Sequence, residues 1–120
     1  MQISLQPRVG NQFSKYSDGS VRINDNDYTS NIIVMNDQIL SFPIRDIKQI
    51  SLDDLTPVIS FTPDLIIFGS GDRIIYPDLK LIQSLHERNI GVEVMPIQAL
   101  CRTFNFLVGE DRRVACLILF

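Results

Sequence analysis

The sequence predicts an α/β fold built on a βαβαβ core over residues 63–119, with antiparallel β-hairpins ahead of it. Three observations carry this. Leu65-Ile66-Ile67-Phe68 is apolar on both pleat faces, the pattern of a strand covered on two sides. Ile97, Leu100, Cys101, Phe104, Leu107 and Val108 recur with helical period on one narrow face. Short apolar runs at Val92–Met95 and Val114–Leu119 bracket that helix, giving the strand–helix alternation of an α/β unit. Such a unit predicts a crevice where strand ends and a helix N-terminus converge.

In chain order, residues 1–11 show little pattern, and Pro7 and Gly10 argue against a regular element; this stretch is expected to be irregular or flexible. Segments of roughly alternating character follow at Gln12–Tyr16, Ser20–Asn24, Asn31–Met35 and Gln38–Pro43. Ser17-Asp18-Gly19 and Asn24-Asp25-Asn26 suit tight turns, because Gly, Asn and Asp tolerate positive φ. Met35-Asn36-Asp37-Gln38 reads as a further hairpin turn. In the connector Ile47–Leu55, Ser51-Leu52-Asp53-Asp54 can start a helical turn with an acidic capping box, and Thr56-Pro57 cuts it short. Pro57–Ser60 suits another short helical turn.

Asp64–Phe68 is the first core strand, ended by Gly69-Ser70-Gly71. Asp78 can cap the next helix, Leu79 to Arg88, whose Leu79, Ile82, Leu85 and His86 share one stripe. Gly91 closes it, and Val92–Met95 follows, parallel to the first strand through a right-handed crossover. Gly109–Arg113 then turns the chain into Val114–Leu119, expected to come back as an antiparallel strand because the loop is short.

The totals exclude several classes. At 120 residues the chain fits a single domain, 1–120, with a real core. Its net charge of −3 comes from eleven basic and fourteen acidic residues spread evenly, without the basic concentration a nucleic-acid partner requires. The longest apolar run, Val114 to Phe120, is far short of a membrane span. The N-terminus carries neither a secretory signal nor an Arg-rich presequence, so a cytoplasmic location is expected. Two Cys and one His make a disulfide scaffold or zinc site a poor fit; Cys101 and Cys116 read as packed thiols.

The candidate sites each have an ordinary alternative. Gly69-Ser70-Gly71-Asp72-Arg73 follows a strand as a phosphate-binding turn would. Yet Ile74 stands where a dinucleotide fingerprint needs glycine, and no Gly-Lys-Ser/Thr is present. Glycines making a tight exit from a buried strand explain the turn as well. Cys101 lacks a base on its own helix and falls on the core stripe. Arg102 and Asn105 flank that stripe and either reach toward the Gly69–Arg73 turn or stand in solvent. Phe106, with Ala99 beside it, projects to the face that should be wet. It requires a second covering layer or a partner surface. Glu93 interrupts an apolar strand, through edge exposure or an ion pair with Arg73 or Arg102.

The strings FGSGDR, RNIGVEVM and ALCRTFNFL, in this order and spacing, resemble a small domain-of-unknown-function family of bacteria and archaea. Its mitochondrial member is the NADH dehydrogenase (complex I) assembly factor 3. Upstream, VRINDNDYTSNIIVM is similar to the family's pattern of strand, turn, aromatic and strand. The resemblance implies a three-layer α/β fold, a mixed central sheet with one strand antiparallel, and extra β-structure packed against it. It also implies that no enzymatic activity is established. The family's crevice positions map onto Gly69, Gly71, Asp72, Arg73, Cys101, Thr103 and Asn105.

The expected function is therefore a non-enzymatic protein-interaction domain resembling a complex I assembly factor, with Phe106 and Ala99 on its contact surface. Its expected partners are other proteins, respiratory-complex subunits or assembly factors among them, or a second copy of the chain. Nucleic acid, membrane insertion, cofactor and metal are not expected. The alternative is a small-ligand or anion-binding protein, or a weak enzyme, using Gly69, Ser70, Gly71, Asp72 and Arg73 together with Arg102, Thr103 and Asn105.

Overall fold

The computed structural model describes residues 10–120. Of the stretch 1–11, residues 1–9 lie outside the described residues. Gly10 and Asn11 belong to no regular element, but Asn11 is buried and its Nδ2 donates to the carbonyls of Met35 and Gln38.

Strands β1 (Phe13–Ser17), β2 (Ser20–Ile23) and β3 (Asn26–Tyr28) form an antiparallel meander. Its turns are made by Gly19 and Asn24, both at positive φ, as the Asp-Gly and Asn-Asp sequences dictate. The sequence reading lacked β3, because Asn and Asp are poor strand formers and masked the pairing of Asn26-Asp27-Tyr28 with β2. Strands β4 (Ile32–Met35) and β5 (Ile39–Ser41) form the second hairpin. This hairpin does not pack on the central sheet but belongs to it.

In the connector, Asp54 completes the capping box, accepting from the Ser51 N–H at 2.8 Å. A 3-10 turn over Asp53–Leu55 stops before Thr56-Pro57, which then opens a helix over the expected Pro57–Ser60, α1 (Thr56–Phe61), since proline in a first turn sacrifices no intrahelical bond. There follow β6 (Leu65–Ser70), α2 (Leu79–Glu87), β7 (Gly91–Val94), α3 (Ile97–Gly109) and β8 (Val114–Leu119). Asp78 occupies the N-cap of α2 without a side-chain cap bond; its carbonyl accepts from Leu81 and Ile82 instead. Asn89, in the left-handed region, turns the chain out of α2, and Gly91 already belongs to β7. The buried row of α2 is Leu81 and Leu85, whereas Leu79 is 65% exposed and His86 is exposed. Two overlapping i, i+3, i+4 rows exist in this helix, and the sheet takes the one containing Leu81.

The central sheet has the order β5-β4-β8-β6-β7. β6 pairs in parallel with both β7 and β8, and β8 pairs antiparallel with β4. The antiparallel member of this mixed sheet is thus β4, and the expectation of an antiparallel last strand is corrected. A short loop fixes direction only between the two elements it joins. Here it joins α3 to β8, and α3 itself runs back along the sheet, so β8 emerges parallel to β6.

Alternation divides the core in two. Ile33, Met35, Ile66, Phe68, Ala115, Leu117 and Leu119 face one way, against Phe42, Leu55, Val58, Leu81 and Leu85 from the connector, α1 and α2. Ile32, Val34, Ile67, Val114, Cys116 and Ile118 face the other way, against α3 and the meander residues Phe13, Val21 and Ile23. These are the three layers. Burying a side chain the size of Phe68 or Phe104 contributes about 1.5–3 kcal/mol.

Gly69, within β6, sets how closely α3 approaches. A Cβ there would lie 2.7 Å from Leu100 Cδ1 and 3.4 Å from Ile97 Cγ1. Gly69→Val is expected to lower stability by about 1–3 kcal/mol in urea titration. Gly109→Ala, at the open end of α3 where a Cβ meets nothing within 4 Å, is expected to raise it by about 0.4–1 kcal/mol. Equal effects would show that Gly69 does not govern the contact.

Candidate functional site

Because β6 and β7 run parallel, their carboxyl ends deliver the Ser70–Arg73 turn and the start of α3 to one rim. Gly71 and α3 adjoin there: the Ile97 N–H donates to the Gly71 carbonyl at 2.9 Å. Gly71 takes φ +58°, which a side chain would strain. Two of the turn's own donors are spent within the chain. The Gly71 N–H donates to Leu119 and the Arg73 N–H to Ser70, at 3.1 and 3.2 Å. A phosphate cradle needs such N–H groups free, and these two are not. Ser70 is half-buried, and Asp72 and Arg73 extend into solvent.

On α3 the expected residues diverge. Cys101 is buried among the core side chains, and burial pushes its thiol up to about 12. It is protonated at neutral pH and a poor nucleophile. Its only potential imidazole partner, His86, is on α2, across the sheet. Asn105 does not reach the Gly69–Arg73 turn. Its Oδ1 accepts from the Phe13 N–H at 2.9 Å, and its Nδ2 donates to the Phe13 carbonyl at 2.8 Å. One amide thus stands in for a paired strand and fixes β1 against α3, where Phe13 meets Phe104 edge to face at 5.3 Å between centroids.

Arg102 is exposed and lines a hollow of about 210 Å³ between β1 and α3, with Lys15, Tyr16, Gln98, Cys101 and Asn105. Burial, then the Asp18 and Asp72 carboxylates, raise the Tyr16 phenol above its ordinary value. Lys15 and Tyr16 escaped the sequence reading, since nothing local to β1 signals that it lies along α3. A larger hollow, about 700 Å³, lies elsewhere, by Asn31, Phe42, Arg45 and Phe120, and includes none of the expected residues.

Thr103 and Ala99 are half-buried and Phe106 is 66% exposed, on the flank of α3 turned away from Asn105 and the meander. The meander is therefore not the layer over Phe106. Glu93 is exposed on β7, and among the described residues neither it, Arg73 nor Arg102 forms a salt bridge. Among the described residues no group of three His, Cys, Asp or Glu side chains could hold a metal ion, and no helix is long and apolar enough to cross a membrane.

A family model described as "Protein of unknown function (DUF498/DUF598)" matches residues 13–119. A 13 kDa major membrane protein of Francisella tularensis is 29% identical over 109 residues, 89% of either chain. NADH dehydrogenase (ubiquinone) 1 alpha subcomplex assembly factor 3 of Drosophila melanogaster is 31% identical over 116 residues. That match takes in 92% of this chain but only 59% of the assembly factor. The crystal structure of a Bordetella parapertussis protein, 26% identical, superposes with a TM-score of 0.85 over 95% of this chain and 98% of that one.

The Asn105 clasp is open to test. Asn105→Ala leaves the Phe13 N–H and carbonyl without their partner and is expected to cost about 1–3 kcal/mol. Hydrogen exchange at the Phe13 amide should accelerate more than at β8 amides. Unchanged exchange at Phe13 would show that the meander is held by its apolar contacts alone.

Proposed function

The chain belongs to the DUF498/DUF598 family of proteins of unknown function, and from that premise we propose that it is a non-enzymatic protein-interaction module with an assembly-factor-like role. The similarity to assembly factor 3 supports this reading, and one structural observation carries it: the free flank of α3. There Phe106 stands 66% exposed beside half-buried Ala99 and Thr103, with the meander tied to Asn105 on another flank of the helix. An exposed aromatic flanked by small residues is the anatomy of a contact hot spot. The neutral, buried Cys101 thiol, separated by the sheet from His86, supports a role without covalent catalysis. The partners in this reading are respiratory-complex subunits or their assembly factors, met in the cytoplasm or at a membrane surface.

Affinity capture at native expression level tests it. Wild-type protein is expected to enrich respiratory-complex subunits, and Phe106→Ala to lower that recovery by roughly 30-fold, the loss of a strong hot spot, without shifting the thermal midpoint. Equal recovery by the two proteins would overturn the assignment of this surface.

A second reading, a small anionic ligand, is favoured by the hollow between β1 and α3, which is lined by Lys15 and Tyr16 of β1 and by Gln98 and Arg102 of α3. It places the ligand on the β1 side of Arg102, in a hollow that Gly69, Ser70, Gly71, Asp72, Arg73 and Thr103 do not line. A thermal-shift panel of nucleotides, phosphates and carboxylates is then expected to stabilise the wild type, by about 2.7 kcal/mol at a hundredfold excess over the dissociation constant. Arg102→Ala should abolish the shift, and a panel without any shift would remove this reading.

A further inference from the structure

β7 is an outer strand of the central sheet, and among the described residues no strand pairs with its far side. The Gly91 N–H donates to the Asp64 carbonyl and the Met95 N–H to the Phe68 carbonyl, so residues 91, 93 and 95 spend their backbone groups on β6. Alternation turns the N–H and C=O groups of Val92 and Val94 outward, where no backbone partner meets them among the described residues. The side chains differ between the two faces. Val92 and Val94 lean toward the α2 layer. Glu93, in register with Ile67, points to the α3 side. There α3 covers β8 and β6, and nothing described covers β7.

We propose that this edge receives an extended segment of a different protein, carrying Lys or Arg opposite Glu93 and an apolar residue on either side of it. Two features select that occupant. The outward groups of Val92 and Val94 can extend the sheet by main-chain bonding, the mode by which sheet edges capture peptides. Glu93 then decides between partners. Two copies of this chain pairing antiparallel through all four outward groups would set Val92 opposite Val94 and Glu93 opposite Glu93 of a second copy. Their Cα atoms would be about 4.5 Å apart, in a non-hydrogen-bonded pair. Like charges directly opposed oppose that pairing, and a cation in the same place favours a foreign strand. The apolar neighbours of the cation fall on the other face, beside Val92 and Val94.

This deepens the protein-binding reading by naming the chemistry of the partner, and its test is independent of Phe106. The full 15N-labelled chain is titrated to millimolar concentration with the capped peptide Thr-Thr-Val-Lys-Val-Thr-Thr and with its counterpart bearing Glu for Lys. The Lys peptide is expected to shift the Val92 and Val94 amides and to bind roughly threefold or more tightly than the Glu peptide, with the order reversed in Glu93→Lys. No response at Val92 and Val94, or equal affinity for the two peptides, would overturn the proposal. So would concentration-dependent self-pairing of the peptide-free wild type through these amides. If Phe106→Ala abolishes partner capture while neither peptide binds, the α3 surface stands and the edge site falls.

Discussion

The ladders on the two sides of β8 hold the architecture together. This strand lies between β4 and β6, bonded antiparallel to one and parallel to the other, and all six of its residues are buried. Asparagines lock its ends. The Asn36 amide donates to the Arg112 carbonyl and accepts from the Val114 N–H, and Asn31 accepts from the Phe120 N–H at the far end. These bonds satisfy backbone groups just where the ladder stops and fix the register, since a slip by one residue would exchange the two apolar faces of β8. Both halves of the core, and both covering layers, depend on that alignment.

The α3 side shows how a small domain can hold one face closed and leave part of it bare. Gly69 lets α3 settle on β6, Asn105 ties the meander to the near flank, and Phe13 completes the contact against Phe104. The meander covers β4 and the inner strands, so the opposite flank of α3 and the outer face of β7 remain open together. Phe106 on the first and Glu93 on the second are both exposed.

Much of this was legible in residue order, and the failures have physical causes. The continuous apolar run marks β6, which extends through Gly69 and Ser70 beyond Phe68, and the six-residue stripe of α3 has a helical period and stands where that period puts it. In α2 two rows of apolar residues competed; only packing against the sheet chose Leu81 over Leu79. The direction of β8 is not legible in its loop, because loop length constrains neighbours in sequence, whereas its ladder partners β4 and β6 are far away in the chain. Asn105 was ambiguous for a related reason. Its clasp joins residues 92 positions apart, and no local pattern announces a partner at that distance.

The central place of β8 also sets an order of events during synthesis. Of the sheet's five strands, the one that joins the β4–β5 hairpin to the β6–β7 pair leaves the ribosome after the other four. Until residues 114–119 emerge, a growing chain holds two separate half-sheets, with the apolar faces of β4 and β6 unpaired along the edges they will share. Such edges attract other chains, so the interval before the final strand slides in and closes the gap is the one most exposed to misassociation.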